Sequence, residues 1–481
     1  MRAVVARGVI GSSILCCAGL VTSRVPASSW PDHTVALASL RHDPGAHRVF
    51  FFVLFLGIAV LISAWLALGS RVRSGLAGVR GVSLCAAAWA VPLVLAPPLF
   101  SGDAWSYVAD GYLTGHGLSP YVVTPSALHG PIVQAVNARW MHTTTPYGPV
   151  PLLWGGFVSH ATADPWLLML AHRVLALVGL ALLGYAVPRL ALHAGRDPAV
   201  SAWLVVAAPF VLLHGVGGLH NDLLVAGLMA CALLATIQHG WLAGSAVAGA
   251  AAAVKIPGAF VCVGVVLLAL PVGATLALRL RRTAQVGAVA GAVLVGIGLL
   301  GGLGTGWTRS LGVPVGIGSV LAVTTDLGRL AGRVAPDVPW PAGGAVAVAH
   351  AAGLVVIATC AALAVVRGPA GDRTRALEVV ALVMLSVTVL SPAEHYWYAL
   401  WCLPLLAVAP RSPRATAMVI AAVLALAMTA PFDPSLHIHG QNTLLLVATV
   451  TAGVIVRLRP HLYRSAEARA EDETVRPPAT R

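Results

Sequence analysis

Residues 49–69, VFFFVLFLGIAVLISAWLALG, are twenty-one residues without a charge. As a helix rising about 1.5 Å per residue, the stretch spans about 30 Å, the hydrocarbon thickness of a bilayer. Working outward from it, comparable runs recur at about 7–23, 81–100, 166–187, 199–215, 223–238, 242–254, 256–271, 284–304, 344–366, 376–391, 395–410, 415–431 and 440–456. A membrane β-barrel would need alternating stretches of about ten residues, and none is visible. The expected fold is therefore an all-α polytopic membrane protein with about fourteen transmembrane helices. An even count puts both termini on one side.

Composition agrees. Of 481 residues 58% are hydrophobic and 10% charged, and the mean hydropathy is +0.86. Soluble domains carry about a quarter charged residues, so a soluble enzyme is excluded. The net charge of +13 alone suggests a nucleic-acid partner, but the basic residues are scattered between apolar runs. With the N-terminus inside, 21 of the 30 fall in inner segments, 8 in outer ones, and Arg173 lies within a span. That is the asymmetry of cytoplasmic loops. No nucleic acid is implied, and both termini are expected in the cytoplasm of a multi-pass cell-membrane protein.

Residues 149–162, PVPLLWGGFVSHAT, are apolar enough to enter the membrane, yet a crossing there would flip every later loop. They read as a re-entrant or interfacial segment within a first large outer loop, 101–165. The N-terminal run is expected to be retained as a span, not cleaved as a signal peptide. All seven cysteines fall in spans without CxxC or metal-ligand spacing, so they read as packing residues. Residues 1–457 form one transmembrane domain, and 458–481 read as a disordered cytoplasmic tail. The outer loop 305–343 is rich in Gly and Pro, and no soluble domain or repeat is apparent.

Acidic residues near a bilayer are costly and mark function. Ten of seventeen lie in outer segments: Asp32, Asp43, Asp103, Asp110, Asp164, Asp222, Asp326, Asp337, Glu394 and Asp433. The catalytic face is thus expected outside. The segment 97–121, PPLFSGDAWSYVADGYLTGHGLSPY, follows the third span. A helix over about 102–114 sets Asp103, Tyr107 and Asp110 on one face and Trp105, Val108 and Tyr112 on another. It is expected to lie in the interface, aromatics toward the headgroups and carboxylates toward a cavity. Asp103 as a helix N-cap is the competing reading.

A second interfacial helix is expected over about 130–141, with Val133, Val136 and Trp140 on one face. It leads into 142–154, HTTTPYGPVPLLW, whose prolines fix an irregular backbone tolerated at membrane depth only where it is buried or lines a cavity. Tyr147 is placed there to stack on a ligand. Residues 215–227, GVGGLHNDLLVAG, set His220, Asn221 and Asp222 at an outer hinge, where capping by Asn221 or Asp222 is the plainer role. Residues 251–258, AAAVKIPG, carry the chain's sole lysine, Lys255, expected at a hairpin tip and able to snorkel to a lipid phosphate. In 390–401, LSPAEHYWYALW, the aromatics read as interface anchors, and a ligand role is open for Glu394, His395 and Trp397. Asp433, His437 and His439 in 431–442 are weak evidence for a metal site.

Taken in order, SGDAWSY, GLSPY, TPYGPVPLLW, HNDLLV, VKIPG and SPAEHYWY resemble the polyprenyl-phosphate-mannose-dependent α-(1→6)-mannosyltransferases of actinobacterial envelopes. These are integral membrane glycosyltransferases of the GT-C superfamily. The resemblance covers roughly residues 50–440. It implies transfer of mannose, with inversion, from polyprenyl phosphomannose to a lipid-anchored α-(1→6) mannan of the lipomannan type, among membrane lipids at the outer face. An acidic residue of the first outer loop would be the general base, and Asp103 matches it, with Asp110 second. Lys255, then Arg139 and Arg173, are the candidates for the donor phosphate. Tyr107, Tyr147, His220, Asn221, Asp222, Glu394, His395 and Trp397 are those for sugar and acceptor. No metal ligands are assigned, and metal dependence stays open. A polyprenyl-linked sugar transporter or flippase, an accessory subunit, an arabinofuranosyltransferase and a protein mannosyltransferase are the alternatives.

Overall fold

The computed structural model describes residues 1–316, 319, 321–409, 412–432 and 441–463. The described residues are helical, with no strand among them. Six helices are long and apolar enough to cross a bilayer: Arg2–Thr22, Pro44–Arg73, Pro165–His193, Asp222–His239, Leu276–Leu300 and Gly344–Arg367. The other eight expected spans coincide with further helical segments. Three of these are broken. The run expected over 256–271 is a 3₁₀ turn, Ile256–Val261, followed by an eight-residue helix, Cys262–Ala269. After Pro198–Val205 the backbone loosens, past Pro209, into a π-helical turn, Val211–Gly217. The run expected over 395–410 is a 3₁₀ turn, Tyr396–Leu400, followed by a six-residue helix, Leu403–Val408, with Pro404 in its first turn.

Helix starts follow from local chemistry. Asp43 accepts hydrogen bonds from the N–H groups of Gly45 and Ala46, with Pro44 opening the helix. Asp164 does the same for Leu167 ahead of Pro165. These contacts satisfy otherwise orphaned donors. Asp32 pairs with Arg41 at 2.6 Å, and Asp326 lies 3.6 Å from Arg329. Four of the ten outer acids therefore have structural roles, which narrows the functional set to Asp103, Asp110, Asp222 and Glu394 among those buried or half-buried.

The main core runs from the N-terminal helix to Leu462. Within it Trp65 and Trp203 stack at 4.8 Å, each indole N–H donating to the other's backbone carbonyl at 2.9 Å. That reciprocal pair fixes the helix decoded first in the sequence against Pro198–Val205. Both indole donors are satisfied, as buried ones need to be.

The segment 149–162 forms an eleven-residue helix, Pro149–Ser159, rising about 16 Å and too short to cross alone. It packs on the helix Asp103–Gly115 through Gly111 and Gly155, where a Cβ on either would come within 2.6 Å of the other's Cα. The tail from 464 onward, and Asp433, His437 and His439, lie outside the described residues.

Candidate functional site

Leu99 and the turn after it build the first wall. Phe100 is held in the left-handed region at φ 64°, and the Leu99 N–H donates to the Gly217 carbonyl at 2.9 Å. Ser101 and Gly102 then start the helix Asp103–Gly115. Asp103 is its first residue and caps nothing; its own N–H donates to Ser101 Oγ at 3.2 Å. A carboxylate in a helix's first turn is favoured by the dipole. The expected face is present: Asp103, Tyr107 and Asp110 share one narrow cavity with Trp140, Thr145 and Tyr147. The headgroup-facing expectation is not met, because Trp105 is buried and its indole donates to the Arg24 carbonyl at 2.9 Å. This helix is an internal element.

Asp103 Oδ1 accepts a 2.9 Å hydrogen bond from the indole N–H of Trp140. Trp140 comes from a short helix, Ala138–Met141, capped by Asn137. The single helix expected over 130–141 is instead a 3₁₀ turn, Gly130–Val133, and this separate turn, since Asn137 is extended at φ −65°, ψ 140°. Asp110 is buried, and burial pushes its carboxyl up to about 7 against an opposing hydrogen bond from Thr145. The Tyr107 and Tyr147 hydroxyls lie 2.9 Å apart, their rings edge to face.

Lys255 forms the second wall. It sits extended between the helix Trp241–Val254 and the 3₁₀ turn Ile256–Val261. Its ammonium is buried and donates to Asp222 Oδ1 at 2.9 Å. The rings of Tyr398, Tyr147 and Trp401 surround it at 4.3, 5.1 and 5.1 Å. The snorkelling expectation is thus overturned: an internal carboxylate and three aromatic faces hold the charge. Tyr398 and Trp401 are buried against Lys255 and are no interface anchors. Gly148 locks the Tyr147 loop to this hinge. Its N–H donates to the Val254 carbonyl at 2.9 Å, and a Cβ there would meet the Ala253 carbonyl oxygen at 2.2 Å.

His220, Asn221 and Asp222 line the same region. Neither Asn221 nor Asp222 makes a side-chain cap to the following helix. His220 Nδ1 pairs with the His214 carbonyl oxygen at 2.7 Å, and its ring stacks on Trp397 at 3.9 Å. His395 stacks on Trp397 as well, at 4.5 Å. His220 Nε2, Asn221 Nδ2, Asp222 Oδ2, His395 Nδ1 and Trp397 Nε1 are buried and have no partner among the described residues. Each orphan costs about 1–3 kcal/mol unless a ligand or water meets it. Their concentration in one place makes this the candidate site for a polar ligand.

One electrostatic neighbourhood joins the walls. The charges of both Asp103 and Asp222 act on Tyr107 and Tyr147, whose hydroxyls burial holds well above the usual phenol range. His395 lies within electrostatic reach of Lys255, His220 and Arg139. Burial pushes the Glu394 carboxyl up to about 8. Arg173 is elsewhere in function: its guanidinium donates to the carbonyls of Leu93, Ala96, Val216 and Gly217. It clamps the helix Val79–Leu95 to the π-helical turn and is unsuited to a phosphate. Sequence reasoning did not single out Thr145, and it placed Trp140 on an interfacial helix and Tyr398 and Trp401 among interface anchors, away from the carboxylate and ammonium they meet.

From Lys255 an apolar groove runs between Ile256, Phe260, Leu354, Ile357, Val387, Tyr398 and Trp401. Its lining is predominantly apolar, with Lys255 the cation among the lining residues.

Residues 5–271 match the model of the α-(1→6)-mannopyranosyltransferase N-terminal domain, and residues 324–459 match the MptB C-terminal domain. The chain is 33% identical to α-(1→6)-mannopyranosyltransferase A of Mycobacterium tuberculosis, over 87% of this chain and 81% of that one. It is 34% identical to α-(1→6)-mannopyranosyltransferase A of Corynebacterium glutamicum over 42% of this chain and 43% of that one. To α-(1→6)-mannopyranosyltransferase B of the same organism it is 29% identical over 73% of this chain and 64% of that one.

Proposed function

The chain belongs to the α-(1→6)-mannopyranosyltransferase family, and on that premise we propose that it moves mannose from polyprenyl phosphomannose to a lipid-anchored α-(1→6) mannan. It is a multi-pass membrane mannosyltransferase; the donor, acceptor, outward-facing site and residue roles below are our reading. The observation that carries it is Tyr147, which touches Tyr107 beside Asp103 on one side and Lys255 at the head of the apolar groove on the other.

In this reading the polyprenyl chain lies in the groove and its phosphate meets Lys255, with Arg139 behind. Asp103 takes the proton of the acceptor 6-hydroxyl as that oxygen bonds to the anomeric carbon from the face opposite the phosphate. The bond from anomeric carbon to phosphate oxygen breaks, and the electron pair leaves with the polyprenyl phosphate. One displacement inverts β to α. Cationic donors in a water-poor site stabilise the charge gathering on the leaving phosphate. The Trp140 indole orients Asp103 for the approach. His220, Asn221, Asp222, Glu394, His395 and Trp397 offer the orphaned polar atoms and the ring face that bind mannose hydroxyls, and Asp110 holds a proton near neutrality beside Tyr107.

The test is reconstitution in liposomes with labelled polyprenyl phosphomannose, polyprenyl phosphopentose or neither, and an α-(1→6) mannose oligosaccharide. Product with an added α-(1→6) mannose from the first donor alone is expected. Transfer from the pentose donor, or none, would overturn the donor assignment.

A further inference from the structure

A second groove borders the start of the Asp103 helix. Arg24, His47, Phe51, Phe100, Ser101 and Asn137 line it, and it shares no residue with the groove headed by Lys255. We propose that it receives the acceptor, a chain of neutral hexoses whose non-reducing end it presents to Asp103. The assignment rests on the transferase reading above.

Three observations carry it. The lining combines two aromatic faces with neutral or cationic donors and no carboxylate, a set suited to sugar rings and their hydroxyl oxygens. The groove is continuous with the catalytic wall, since Ser101 and Gly102 in its lining lead directly into Asp103. Asn137, also in the lining, accepts a hydrogen bond from the Arg139 N–H and so starts the turn that carries Trp140 onto Asp103. Finally, the groove's floor is over-determined. Phe100 sits at φ 64°, a conformation that costs a non-glycine residue about 1–3 kcal/mol and persists where surrounding contacts enforce it, commonly at functional sites. Leu99 is pinned to Gly217, and Arg24 is tied through its carbonyl to Trp105, two residues beyond Asp103. A chain seated against Arg24 and His47 therefore lies beside a rigid edge of the base-bearing helix, while the donor lipid occupies different residues.

The experiment measures binding to the purified full chain in detergent, with α-(1→6)-mannotriose, polyprenyl phosphate and phosphatidylglycerol vesicles as probes. Arg24 and His47 are exposed, so the double variant Arg24→Ala/His47→Ala is expected to fold, and retained polyprenyl phosphate affinity verifies this. Its mannotriose affinity is expected to fall about tenfold or more, while the Lys255→Met/Asp222→Leu double variant, which leaves no uncompensated buried charge, shows the reverse pattern. Equal mannotriose binding by wild type and the double variant, or none by wild type, would overturn the assignment. So would a loss confined to the vesicles, which would make the groove a headgroup site, or a loss of polyprenyl phosphate, which would give it to the donor. The expected binding pattern without transfer from polyprenyl phosphomannose would leave the groove standing and remove the donor reading.

Discussion

The indole N–H of Trp140 donates to Oδ1 of Asp103 at 2.9 Å, across a cavity of about 10 Å³, room for barely one water. One oxygen of the carboxylate is thus oriented by a residue from a different loop. Trp140→Phe keeps most of the packing and removes the donor. The expected outcome is a kcat lower by about tenfold with donor KM unchanged, measured by initial rates at saturating acceptor.

Lys255 and Asp222 stand or fall together. Removing one leaves the other buried and uncompensated, at a cost of about 3–5 kcal/mol. Lys255→Met and Asp222→Leu should each lower thermal stability strongly, and the double variant should recover much of it. Activity should not return in the double variant, because the proposed mechanism relies on the Lys255 charge to meet the donor phosphate. Recovery of both would make the pair purely structural.

Asp110 and Glu394 shift the pH dependence of stability. Their carboxyls ordinarily titrate near 3.8 and 4.5, and burial raises them to about 7 and about 8. The folded chain therefore binds protons that the unfolded chain has lost. The stability these groups contribute is complete below the lower values and is lost as pH rises through the higher ones. Thermal stability in detergent should decline between about pH 5 and pH 8, and Asp110→Asn should flatten the lower part of that decline. A steeper decline in the variant would contradict the assignment.

Arg173 separates structure from chemistry. Four backbone carbonyls receive its guanidinium, so Arg173→Met removes a donor from each of them, with Gly217 keeping its bond from the Leu99 N–H. The expected result is reduced abundance and thermal stability with the KM for donor unchanged in what folds. A raised donor KM at normal stability would return Arg173 to the phosphate site.

How much of this was legible in the sequence follows from what each signal depends on. Uncharged runs such as 49–69 report their own solvent, so helical class and span positions came through. The face carrying Asp103, Tyr107 and Asp110 was legible because it is local helical geometry. Lys255 was singled out but given the wrong surroundings, since its partner Asp222 lies 33 residues away and nothing local announces the pair. The aromatics at 396–401 look like interface anchors until their burial is seen. Trp140 was placed on a helix face with Val133 and Val136, but its contact with Asp103 was not legible, because that depends on where an irregular loop carries it. Breaks at Pro209 and Pro404 were written in the sequence, yet hydropathy averages over them.

The most direct measurement compares wild type with Asp103→Asn in membranes at matched abundance, with labelled polyprenyl phosphomannose and an α-(1→6) mannose oligosaccharide. The variant keeps the shape and a hydrogen-bond acceptor for Trp140 but cannot take up the acceptor's proton. Transfer should fall by about a hundredfold or more, with donor binding retained. Transfer at the wild-type rate by Asp103→Asn would contradict the account.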